Sequence, residues 1–135
     1  MRATMTITNQ ATQWASNKKT LKQVLIHWYH VNKIFIKYFG FKNYIFSECY
    51  KHDLDKIIPV LLGKYSKEKH RLSSNHHIAN VVKKGTIYDC MEMLSDWESA
   101  RFTKATKQLS ANEYWLTIKH KYNNKTIEEL LKTFN

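Results

Sequence analysis

His52 and Asp53 stand side by side in the chain. An imidazole nitrogen and a carboxylate oxygen from adjacent residues can reach one ion if the backbone turns between them. Together they suit a divalent transition metal or a harder ion such as Mg²⁺. The dipeptide alone means little, but its surroundings add weight. Six of the seven histidines lie between residues 27 and 77. His30 precedes the pair by one expected helix. His70 follows it, and then comes Ser73-Ser74-Asn75-His76-His77. Glu92 and Asp96 are four residues apart, on one face of a further expected helix. The order is thus His, His-Asp, His, His, Asp, with each group on a different helix or helix end. A helical bundle can converge such residues on one internal site.

With that order, the chain resembles the HD-domain superfamily of metal-dependent phosphohydrolases. His30, His52-Asp53 and Asp96 carry the likeness, and Lys51-His-Asp-Leu-Asp-Lys56 is similar to the family's HD-x-x-K region. The His-rich stretch 70–77 is similar to the branch that holds two metals. HDLDK, NHH and EMLSDWESA are closer still to a small family of phage and bacterial proteins, with Asp55 where that family usually has Ser. The resemblance covers roughly residues 20–115. It implies an all-α, single-domain helical bundle of HD type. It implies one or two divalent ions held by His30, His52, Asp53, Asp96 and one or more of His70, His76 and His77. Nothing in the sequence distinguishes Mn, Fe, Co, Ni, Zn or Mg.

Within that set, His76 and His77 cannot both point one way from a helix. His77 is favoured as the ligand and His76 as a substrate contact. Asp53 is the natural bridge between two ions. Lys56 and Arg71 are read as neutralising phosphate charge, and Glu92 as general base, with partnership to a metal-bound His or a solvated surface position as alternatives. His27, beside the apolar stripe of its helix, is assigned to packing or surface, and His120 to the surface. Trp14, Trp28, Trp97 and Trp115 are read as helix-packing residues.

The implied activity is phosphoester hydrolysis on a nucleotide, an oligonucleotide signal or a related phosphorylated substrate. Charge agrees with an anionic partner: 22 Lys+Arg face 11 Asp+Glu, a net +11. Lys83, Lys84, Arg101, Lys104 and Lys107 could form a phosphate-guiding rim. A different class of function fits the same charge. In that reading a basic helical module grips nucleic acid or a host protein, and the His cluster is structural or a degenerate metal site.

The elements that must position these residues are helices. There are 3 Gly and 1 Pro among 135 residues, too few turn formers for a sheet-rich fold. Residues 1–17 are polar and without period, and are read as a loose arm before a domain spanning 18–135. Thr20-Leu-Lys-Gln23 has the capping-box pattern. From there Leu21, Val24, Leu25, Trp28, Val31, Phe35, Tyr38 and Phe39 recur at 3 and 4 up to Gly40. Further helices are expected over 42–52, 75–83, 86–107, from Ser110-Ala-Asn-Glu113 to Tyr122, and over 126–134, with Pro59 breaking or starting one. Cys49 and Cys90 lie in apolar-periodic stretches and read as buried thiols. No run is apolar enough to span a membrane, and the start of the chain has no leader-like apolar core. A cytoplasmic protein is expected, in the host cytoplasm if phage-encoded.

Overall fold

The computed structural model describes residues 7–62, 76–103 and 109–134, with residues 7–19 as backbone alone. Seven α-helices and three short 3₁₀ turns, and no strand, occur among the described residues. In chain order the helices are α1 (Ile7–Phe39), α2 (Phe41–Ser47), α3 (Ile57–Leu61), α4 (Ile78–Lys84), α5 (Ile87–Thr103), α6 (Ala111–Ile118) and α7 (Lys125–Leu131).

The first helix is longer than its apolar pattern. It begins at Ile7, inside the stretch read as a loose arm, and the expected cap at Thr20 falls within it. No Gly or Pro occurs before Gly40, so nothing local stops a helix from propagating toward the N-terminus. Gly40 does end it, at φ 86, and its N–H bonds the Ile36 carbonyl at 3.0 Å. α2 stops at Ser47, before the expected end at His52, because Glu48 takes the left-handed conformation at φ 57. Pro59 sits in the first turn of α3, where a missing N–H costs no helical bond.

α5 enters through reciprocal capping. The Thr86 N–H bonds Asp89 Oδ2 at 2.9 Å, and the Asp89 N–H bonds Thr86 Oγ1 at 3.2 Å. Gly85 is needed just before it, since a Cβ there would fall 2.6 Å from the Val81 Cα. Ser110 and Glu113 close the expected capping box on α6. Asn124 caps α7 by accepting from the Ile127 N–H at 3.0 Å.

α5 is the central element. From Cys90 to Ser95 every residue is buried, as are Glu98 and Ser99. One side packs with Val81, Ala111, Trp115, Ile127 and Leu131 in the larger core. Met91, on another side, joins Val31, Phe35 and Cys49. A helix surrounded in this way cannot be purely apolar and still host polar chemistry, which is why its sequence stripe drifts. Both cysteines are buried and free. Burial pushes the Cys90 thiol up to about 12 and raises Cys49 as well, so both are inert packing groups.

Candidate metal centre

The centre lies where α1, the turn after α2, the turn before α4, and α5 meet. Two bonds hold the α2 region against α1. The Trp28 Nε1–H donates to the Tyr50 carbonyl at 2.7 Å, and the Tyr44 hydroxyl donates to Asn32 Oδ1 at 2.6 Å. The backbone then turns sharply. His52 is extended at φ −52 and ψ 123, whereas Asp53 is left-handed at φ 55 and ψ 10. That reversal brings two adjacent side chains to the same point. A left-handed non-glycine residue costs about 1–2 kcal/mol, so the surroundings must hold it there.

Three imidazoles and two carboxylates converge. His27 Nε2 lies 2.8 Å from Asp96 Oδ1 and 3.7 Å from Asp53 Oδ2. His52 Nε2 is 3.3 Å from Asp53 Oδ2 and 3.7 Å from Asp96 Oδ2. His76 Nε2 is 3.3 Å from Asp53 Oδ1 and 3.9 Å from Asp96 Oδ2. The Nε2 atoms of His27 and His52 are 3.4 Å apart. Two overlapping donor sets result: His27, His52 and Asp53, and His52, His76 and Asp96, with ligand atoms within 4.8 Å of one another in each.

The far sides of the rings are also engaged. Glu92 Oε2 lies 3.0 Å from His52 Nδ1 and 2.7 Å from His76 Nδ1. Ser99 Oγ lies 3.3 Å from His27 Nδ1 and donates its own proton to the Asp96 carbonyl at 2.6 Å. The hydroxyl can therefore only accept from His27. Each imidazole thus has a fixed acceptor at Nδ1 and turns Nε2 inward.

This donor set fits a divalent cation. Inward-facing imidazole nitrogens and carboxylate oxygens are all acceptors, and acceptors packed this closely need positive charge between them. Lys56 supplies some, with Nζ 2.8 Å from Asp53 Oδ2. Protons supply the rest when no ion is bound. Burial alone would push the His52 imidazole down, but Asp96 and hydrogen bonds to Asp53 and Glu92 outweigh it and hold it up at about 10. His76 follows the same balance, with Asp53 and Glu92 holding it at about 9. The carboxylates respond in the opposite sense. Burial opposes ionisation of Glu92, yet hydrogen bonds from His52 and His76 lower it. Asp96 is likewise kept well below the usual carboxylate range, with burial overcome by His52 and His27.

The structure brings together His52, Asp53, Lys56, Glu92 and Asp96 as expected, and changes two partners. His27, not His30, completes the site from α1. His27 shares the buried face of Val31 and Phe35, at steps of four, and that spacing was the available signal. His30 instead stacks on Phe102, ring centroids 5.8 Å apart. It lines a separate cleft of about 190 Å³ with Lys33, Lys37, Tyr38 and Arg101. His76, not the favoured His77, faces Asp53 and Asp96 and belongs to the second donor set. His77 packs with its ring centroid 4.6 Å from that of His76 and belongs to neither donor set. Glu92 lies against two histidines, the partnership that the sequence left open beside the general-base reading. Ser99 was not singled out from the sequence, and nothing about an isolated serine marks it. His70 and Arg71 lie outside the described residues, as do Lys104 and Lys107.

No helix among the described residues is long and apolar enough to cross a membrane. Comparison of the chain with protein-family models, curated proteins and solved structures finds no match in any of the three.

Proposed function

We propose that the protein is a metal-dependent phosphohydrolase of HD type, working in the cytoplasm on a nucleotide, an oligonucleotide signal or a related phosphoester. One observation carries this reading. The inward Nε2 atoms of His27, His52 and His76 meet the carboxylates of Asp53 and Asp96, and these residues follow the chain order His, His-Asp, His, Asp. With His27 in the first place, the order is that of the HD superfamily.

His27, His52, Asp53, His76 and Asp96 would hold the metal. When bound, a divalent ion supplies Lewis acidity toward a phosphoryl oxygen and makes a nearby water acidic enough to attack at neutral pH. Asp53 faces His27 and His52 through Oδ2 and His76 through Oδ1, so it would be a ligand whether one ion binds or two. Lys56, held on Asp53, offsets negative charge at the edge of the site, where a phosphate would add more. The net charge of +11 raises the local concentration of anionic substrates.

Elemental analysis of the purified protein, followed by a hydrolysis screen over nucleotides and short oligonucleotides with Mn²⁺, Co²⁺ or Mg²⁺, tests the proposal. Bound metal and metal-dependent turnover are expected. A wild type that binds no divalent metal would sink it.

A second reading is a binding module for nucleic acid or a host protein. The cleft lined by His30, Lys33, Lys37 and Arg101 favours it, because it gathers three cationic side chains and an imidazole, with one acid, Glu98, paired to Arg101 at 3.6 Å. Metal content without turnover, together with salt-sensitive binding to an oligonucleotide, would support this reading over hydrolysis.

A further inference from the structure

Glu92 makes an unusual pair of contacts. A single oxygen, Oε2, serves Nδ1 of both His52 and His76. The two rings are close neighbours, with centroids 4.3 Å apart and planes inclined by 49°. They come from different parts of the chain, one from the turn after α2 and one from the turn before α4. Among the described contacts, Glu92 is the group that meets the outer nitrogen of both rings.

An imidazole can carry its proton on either nitrogen, and a ring flip exchanges their places. Only one arrangement leaves Nε2 able to bind a metal in this centre. An acceptor at Nδ1 selects that arrangement, and a charged acceptor also makes the ring a better donor. Ser99 does this for His27 with a neutral hydroxyl. For His52 and His76 one carboxylate does it twice.

We propose that Glu92 is the positioning residue of the centre, locking His52 and His76 as a pair so that both present Nε2 inward. This rests on the metal reading for its purpose, but the hydrogen-bond geometry is independent of any ion. It follows that the two histidines are not separable ligands. What disturbs Glu92 disturbs both at once, and the second donor set of His52, His76 and Asp96 stands or falls as a unit. His27, backed by Ser99 on the other side of the centre, is the built-in control.

The test uses Glu92→Leu, which removes the acceptor, and Glu92→Gln, which keeps an oxygen and the side-chain shape but removes the charge. In the metal-free protein, long-range ¹H–¹⁵N spectra report the Nδ1–H of each histidine. In the Co²⁺-loaded protein, each imidazole bound through Nε2 gives its own solvent-exchangeable, hyperfine-shifted Nδ1–H signal. With Glu92→Leu, the His52 and His76 signals are expected to be lost to exchange together while that of His27 persists. With Glu92→Gln, the same two are expected to shift together, and metal affinity to fall about 10- to 100-fold. Ser99→Ala should affect His27 alone. The proposal is overturned if only one of His52 and His76 responds to either Glu92 variant, or if His27 responds as strongly as they do. Should Glu92→Leu fail to fold, Glu92→Gln decides alone. If cobalt does not bind the wild type, the metal reading falls, and the metal-free spectra still decide for or against Glu92.

Discussion

His27 Nε2 meets Asp96 Oδ1 at 2.8 Å, joining the middle of α1 to the middle of α5 across the buried centre. The pairing makes a sharp prediction within one residue type. His27→Ala should abolish tight metal binding, because it removes an imidazole from the first donor set and takes away the nearest partner of Asp96. His30→Ala, one turn further along the same helix, should keep wild-type metal content, because His30 faces Phe102 and the basic cleft. Metal stoichiometry on both folded variants is the measurement. Equal losses would point to a general effect of basicity and not to ligation.

Asp53 should be the most damaging single position. Its carboxylate faces His27, His52, His76 and Lys56, so Asp53→Asn leaves the shape but removes a charge that all three imidazoles face. Metal binding should fall by more than for any one histidine, as measured by competition against a chelator of known affinity. A milder loss than that of His76→Ala would contradict this central position.

The second left-handed residue has no such duty. Glu48 sits at φ 57 at the end of α2, and its side chain makes one exposed ion pair with Lys51 at 3.4 Å, a contact worth little. Glycine adopts this conformation without strain. Glu48→Gly should therefore raise stability by about 0.5–1 kcal/mol with metal binding unchanged, seen as a higher midpoint in chemical denaturation. A loss of stability would mean that the Lys51 pair matters more than the backbone.

What could be read from the sequence tracks how local the cause was. The end of α1 at Gly40 and the capping box of Ser110 and Glu113 were legible because each depends on a few adjacent residues. The meeting of His52 and Asp53 was legible as a possibility, since only a turn between them was required. The ring choice at His76-His77 was not, because it depends on where a turn enters a helix and on Glu92 from a distant element. The choice of His27 over His30 was legible in principle from the i, i+4, i+8 relation to Val31 and Phe35, but the order of a motif does not specify a helical face. The extension of α1 to Ile7 lay beyond any apolar pattern. On α5, polar Glu92, Ser95, Glu98 and Ser99 are buried, so hydrophobic periodicity could not show which faces were covered.

The core around α5 gives a plain stability prediction. Leu94 is fully buried among Val81, Met93, Ala111, Trp115 and Ile127. Leu94→Ala should cost about 2–5 kcal/mol, measured by urea denaturation of the metal-free protein. A cost below about 1 kcal/mol would mean that this cluster is not tightly packed.

The last prediction concerns pH, and its sign depends on whether metal is present. Without metal, folding raises His52 to about 10 and His76 to about 9 from an ordinary 6.5. In each case burial is outweighed by nearby carboxylates. Their stabilisation is complete below about 6.5 and is lost as pH rises through about 9 and then about 10. Glu92 and Asp96 are lowered from 4.5 and 3.8, so their share is present above those values and is lost as pH falls through the lower folded ones. The metal-free protein should therefore be most stable between about 4.5 and 6.5. Metal binding runs the other way across the alkaline side. A divalent ion must displace the protons on His52 and His76, so affinity should climb with pH by up to about a hundredfold per unit where both are displaced. Stabilisation by metal grows with affinity. Melting curves with excess chelator and with excess Zn²⁺ or Mn²⁺, taken from pH about 5 to about 9, should diverge steadily as pH rises. A metal effect that stayed constant with pH would mean that the two imidazoles do not exchange protons for the ion, and would remove them from the ligand set.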